Sequence, residues 1–169
     1  MQITASFVTV DLAGFTIRGT AFNPLNFATA IGASGVDGIA VRNGSISFIG
    51  TGVSLSGDGS IVEGLRVING SSAGIIATGI IKNNTVVATQ LRGTGIVATG
   101  IISGNYVVGS GATGMEVGQG STVIGNTVTG TTQSATAPPV GLLVACPSNV
   151  TNNTVVNAPS FIPGGQASC

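Results

Sequence analysis

This chain of 169 residues carries five acidic side chains, five basic ones and no histidine, so any chemistry has to be assembled from very few groups. The acids are Asp11, Asp37, Asp58, Glu63 and Glu116. A calcium site draws on about six to eight oxygen ligands, several of them carboxylates. General acid–base catalysis, and glycoside hydrolysis in particular, needs two carboxylates at close range. In the repeat register set out below, no two of the five acids share a neighbouring column position. Neither a carboxylate cage nor a catalytic pair is therefore expected, and no metal, cofactor or catalytic residue is assigned. The single tyrosine, Tyr106, has no obvious partner.

The charges do form one local pattern. Arg42, Glu63 and Lys82 fall in the same outward column of three successive coils, where strands about 4.8 Å apart let alternating signs pair along the stack. The preferred reading is a structural charge ladder. The binding alternative makes Arg42, Glu63 and Lys82, with Arg66 nearby, one edge of a groove that recognises an acidic sugar. A further outward column, Thr16, Ser45, Arg66, Thr85, Tyr106, Thr127 and Thr154, is rich in threonine. Threonine is a common choice for an exposed strand position, and Arg66 and Tyr106 interrupt any flat array.

These residues are positioned by a repeat. The stretch from Gly79 to Thr99, GIIKNNTVVATQLRGTGIVAT, returns one period later as GIISGNYVVGSGATGMEVGQ. Extending the alignment gives an apolar column at Leu12, Val41, Val62, Ile81, Ile102, Val123 and Val150, with spacings of 29, 21, 19, 21, 21 and 27. Five positions on lies a second column, Ile17, Ile46, Val67, Val86, Val107, Val128 and Val155. A third, Ile31, Val53, Ile75, Ile96, Met115 and Leu142, follows glycine from Gly74 onward.

Between the first two columns stand only Gly or Asn: Gly14, Asn43, Gly64, Asn83, Gly104, Gly125 and Asn152. These residues tolerate a left-handed backbone, so a tight turn with positive φ is expected in every coil. The next position holds Asn84, Asn105, Asn126 and Asn153 in four successive coils, the pattern of an inward asparagine ladder. A fixed period in this range signals a solenoid. The expected fold is an all-β parallel β-solenoid of about seven coils of ~21 residues, with three short strands per coil.

Composition agrees. Twenty-eight glycines, with only 6% charged residues, disfavour helices, while 43% hydrophobic residues supply a core. The weak charge removes the basic footprint of nucleic-acid binding. Turn-formers interrupt every apolar run, so no membrane span is expected. The organisation expected is a β-helix over residues 1–157 and a capping tail over 158–169, with Thr20–Thr29 and Thr131–Pro139 leaving the stack as loops. Cys146 and Cys169 lie close to one coil length apart, so a disulfide closing the cap is reasonable. The opening Met1-Gln2-Ile3 is not a secretion signal, so an exported protein would carry its signal outside this sequence.

The segments VTVDLAGFTIRG at 8–19, IAVRNGSISFIGTGVSL at 39–55 and IVEGLRVINGSSAGI at 61–75, with the Asn-containing turns after them, resemble secreted bacterial proteins built of right-handed parallel β-helix repeats, the pectate-lyase-like superfamily. The resemblance implies a single-stranded right-handed β-helix and an extracellular or cell-surface location. It leaves function open, because that fold hosts lyases, hydrolases, epimerases, adhesins and proteins without enzymatic activity. The expected function is a non-enzymatic extracellular module, structural or carbohydrate-binding, with polysaccharide as partner. Its alternatives are a fragment or degenerate relative of a polysaccharide lyase or epimerase, and a solenoid that stacks end to end through an open N-terminal coil.

Overall fold

A computed structural model describes residues 1–19, 28–68, 70–87, 93–131 and 140–157. The loop positions within 20–27 and 132–139, the tail 158–169 and with it Cys169 lie outside the described residues. The strands are β1 (Gln2–Ile3), β2 (Thr9–Asp11), β3 (Thr16–Arg18), β4 (Thr29–Ala33), β5 (Ala40–Ser47), β6 (Thr51–Ile68), β7 (Ala73–Lys82), β8 (Thr85–Val87), β9 (Thr94–Ser103), β10 (Tyr106–Val108), β11 (Thr113–Val117), β12 (Thr122–Ile124), β13 (Thr127–Thr129), β14 (Val140–Val144), β15 (Asn149–Thr151) and β16 (Thr154–Val156). All of the pairings are parallel, and the fold is an all-β parallel solenoid.

Three faces result. On the first, Val10, Val41, Val62, Ile81, Ile102, Val123 and Val150 lie in register. On the second the inward line is Ile17, Ile46, Val67, Val86, Val107, Val128 and Val155. The third carries two inward lines. One is Ile31, Val53, Ile75, Ile96, Met115 and Leu142; the other is Ile3, Ala33, Leu55, Ala77, Ala98, Val117 and Val144. Most of these side chains are buried, and together they form one continuous core. Several strands run on around a corner, and β6 passes through all three faces, turning at Gly59 and Gly64 with φ of 65° and 61°.

The stack amounts to about five turns of ~21 residues, fewer than the expected seven. The regular period runs through Val41, Val62, Ile81, Ile102 and Val123, and the outermost strands join it over longer connections. The first turn also departs from the expected register, because Val41 pairs with Val10 and not with Leu12. Two extra residues expand this turn. Ala13 and Gly14 both take positive φ, 48° and 86°, and the Asp11 carboxylate accepts the Ala13 N–H at 2.9 Å.

The turn chemistry follows the Gly/Asn column. Asn43, Gly64, Asn83, Gly104, Gly125 and Asn152 all have φ between 54° and 64°. Immediately inside it runs the asparagine ladder. Asn105 Oδ1 accepts from the backbone N–H and the side-chain amide of Asn84, both at 3.0 Å, while Asn105 Nδ2 donates to Ile81 O at 2.8 Å and Asn126 Oδ1 at 3.0 Å. Asn126 and Asn153 repeat the pattern. Asn84, Asn105 and Asn126 are each 1% exposed, so this polar spine is tolerable only because its donors and acceptors are paired.

On the third face a glycine precedes every inward residue of the first line from Val53 on, whereas Ile31 follows Ala30. A Cβ on Gly95 would fall 2.5 Å from Gly114 O and against Val107 Cγ1, and the same is true in kind of Gly52, Gly74 and Gly114. Glycine here lets the second and third faces approach closely across the narrow core.

Candidate functional site

The first face carries the charges. The register sets Asp11, Arg42, Glu63 and Lys82 side by side on four successive strands, so the three-residue ladder read from the sequence gains Asp11 as a fourth member. Arg42 pairs with Asp11 at 3.0 Å and Lys82 with Glu63 at 2.9 Å. Asn43 Nδ2 also donates to Asp11, at 3.2 and 3.3 Å to its two oxygens. The Asp11 carboxyl is held below its ordinary value, first by the Ala13 N–H and then, against a desolvation effect, by Asn43 and Arg42. Both cations of this face are thus turned toward carboxylates of their own stack. Arg66, beyond the turn at Gly64, stands on the second face among outward residues, away from the other three. Arg18 lies over the Phe48 ring, 5.1 Å from its centroid.

One expectation about the acids needs correction. Asp37 and Asp58 are neighbours on adjacent turns, since the Asp58 N–H donates to Asp37 Oδ1 at 2.9 Å and the Gly38 N–H donates to Asp58 O. Their spacing of 21, one full period, was the signal that could have revealed this. Among the described residues no three His, Cys, Asp or Glu side chains converge on a common point. Among the described residues no helix is long and apolar enough to cross a membrane. Cys146 follows β14, and its expected partner Cys169 is beyond the described residues.

The concave surface lies elsewhere, on the outside of the third face. A hollow of about 330 Å³ is bounded by Val97, Thr99, Glu116, Gly118, Leu143 and Ala145, with the backbone of β9, β11 and β14 as its floor. A second, of about 240 Å³, shares Val97 and Thr99 and extends the depression over Ser56, Ile76 and Thr78. The two form one groove along the stacking axis across five strands, β6, β7, β9, β11 and β14. A third hollow of about 130 Å³ continues the same face toward β1, at Gln2, Gly32, Ser34 and Ser54.

The composition of this groove follows from strand alternation. Ile96, Ala98, Met115 and Val117 face the core, which leaves Val97, Thr99 and Glu116 outside. Ser56, Thr78 and Thr99 supply one hydroxyl per turn on β6, β7 and β9, Gly118 and Ala145 follow in line just after β11 and β14, and Glu116 is the charged residue of an otherwise largely aliphatic lining. Glu116 is exposed, lies in register between Val97 and Leu143, and takes part in neither ion pair of the first face. Sequence reasoning missed this surface. Its residues belong to separate turns, and only Glu116 among them is a type that suggests chemistry.

The fold and groove define a parallel β-solenoid with a shallow axial channel. No family model, no curated protein and no solved structure matches the chain.

Proposed function

We propose that the chain is a non-enzymatic extracellular β-helix module, akin to the pectate-lyase-like proteins, that holds a carbohydrate polymer along its third face. The groove running across five strands is the observation that carries this reading. Its repeat of about 4.8 Å per turn presents a hydroxyl on three successive strands, at Ser56, Thr78 and Thr99, beside an outward aliphatic surface, which suits an extended, hydroxyl-rich chain lying parallel to the stacking axis. An extracellular setting is supported by the very low charge and by the pair of cysteines. The charged first face supports a structural role, with Arg42 and Lys82 neutralised within the stack and not offered to an acidic sugar. Co-sedimentation with a panel of insoluble and soluble polysaccharides tests the proposal. Binding that disappears when the groove is blocked at its outward residue Val97 by Val97→Trp is the expected result, and absence of binding to every polymer would leave only the structural module.

A second reading, self-association, is favoured by the apolar end of the first turn. Phe7 and Phe15 are 85% and 77% exposed, and Val10, Leu12 and Ile17 are only half-buried beside edges of β1, β2 and β3 that have no strand partner among the described residues. A second copy seated there would cover these residues and pair those edges. Light scattering on the wild type and on Phe15→Ser should show a dimer that the substitution weakens. A strict monomer at high concentration refutes this reading.

A further inference from the structure

We infer that Glu116 makes the third-face groove selective for an amine-bearing glycan, a polymer or oligomer of protonated amino sugar; this rests on the carbohydrate-binding reading above. The hollow around Glu116, about 330 Å³, falls in the size range of small ligand sites. Its walls at Val97 and Leu143 are aliphatic, and Glu116 lies between them in strict register. Two of the other carboxylates are already answered, Asp11 by Arg42 and Glu63 by Lys82, whereas Glu116 belongs to neither ion pair. A carboxylate set between apolar walls interacts more strongly with an approaching charge than one in open water. The groove is therefore complementary to a cation and repels a polyanion.

The shape favours a glycan over a basic peptide. Peptides that add to a sheet need an open strand edge. Here β9 and β11 are each paired on both sides, so the groove presents the face of the sheet. What the face presents is a row of hydroxyls. Thr99 Oγ1 lines the same hollow as Glu116, in space left open because Gly118 on the next turn has no Cβ to fill it. A sugar ring can set an apolar face on Val97 and Leu143, direct hydroxyls to Thr78 and Thr99, and place an ammonium group on the Glu116 carboxylate.

The experiment uses the full chain, with Glu116→Gln and Glu116→Lys, against four probes: a glucosamine oligomer, its N-acetylated counterpart, oligogalacturonate and poly-lysine. Binding is followed by calorimetry at a pH where the amine is protonated. Glu116 is exposed, so both variants should melt with the wild type. The glucosamine oligomer should bind the wild type, weaken roughly tenfold with Glu116→Gln, as loss of a charge-assisted hydrogen bond implies, and fail to bind Glu116→Lys. The N-acetylated oligomer should bind all three proteins alike. Equal affinity of the glucosamine oligomer for wild type and Glu116→Gln overturns the inference while leaving the carbohydrate reading intact. Glu116-dependent binding of poly-lysine at equal strength overturns it in favour of a protein partner, preferential binding of oligogalacturonate overturns it in favour of a cationic site, and no binding of any sugar removes both the inference and the reading beneath it.

Discussion

Replacing Asn105 by alanine should destabilise the solenoid far more than any exposed substitution on the same turn. The side chain accepts two hydrogen bonds from Asn84 and donates two, to Ile81 O and Asn126 Oδ1, at 1% exposure. Alanine leaves the Asn84 N–H unpaired in the core and removes the side-chain donor to the Ile81 carbonyl. At about 1–3 kcal/mol for a buried group left unpaired and about 1 kcal/mol for the other bond lost, the expected cost is about 2–4 kcal/mol. Asn126 Oδ1 keeps its bond from the Asn105 N–H and adds little. Denaturant unfolding followed by circular dichroism measures the loss, with Tyr106→Thr on the adjacent outward position expected to lie within about 0.5 kcal/mol of wild type. Because repeat stacks can lose cooperativity, amide exchange at Asn84 gives a local readout, and its protection should fall. Asn105→Asp sharpens the test. Burial without a partner cation raises the aspartate pKa, so the penalty should be full at neutral pH and shrink as pH falls through that raised value, where the protonated acid regains a donor. If Asn105→Ala and Tyr106→Thr prove equally stable, the ladder is not what holds these turns in register.

The glycine line of the third face makes an independent prediction. Gly95→Ala places a methyl group 2.5 Å from Gly114 O and against Val107, and should lower stability by about 1–3 kcal/mol in thermal melts; an unchanged melt would mean that the faces separate freely. A carbon-detected titration of Asp11 should give a value below the ordinary aspartate range, and Arg42→Ala should recover only part of that shift, since the Ala13 N–H is the largest cause. The depressed value means that the stabilising contribution of Asp11 is present at neutral pH and is lost as pH falls through its folded pKa; titration at or above the ordinary value would contradict the geometry of that turn.

Much of the fold was legible in the residues themselves. The Val/Ile columns of the first two faces, the positive-φ Gly/Asn turns and the asparagine ladder all recur at fixed offsets, because every turn packs on a copy of itself and meets the same steric demand. The second inward line of the third face was not read. Ala33, Ala77 and Ala98 alternate there with Ile3, Leu55, Val117 and Val144, and a small residue does not announce itself as core. The register of the first turn was misread for a related reason. Pattern matching aligned Leu12 with Val41, whereas the Asp11–Ala13 hydrogen bond and the left-handed Ala13 absorb two residues and bring Val10 into place.

The candidate site divides the same way. That Arg42, Glu63 and Lys82 share a column follows from counting residues, because register in a solenoid is arithmetic. The adjacency of Asp37 and Asp58 lay in their spacing of 21, but the pairing of Asp11 with Arg42 did not follow from counting, because it depends on the expanded first turn. The groove was decided by tertiary structure alone. Alternation along one strand tells that Val97, Thr99 and Glu116 point outward, but only the stacking of the turns brings residues of five separate strands together around one hollow, because that surface is made by neighbours that are a full turn or more apart in the chain.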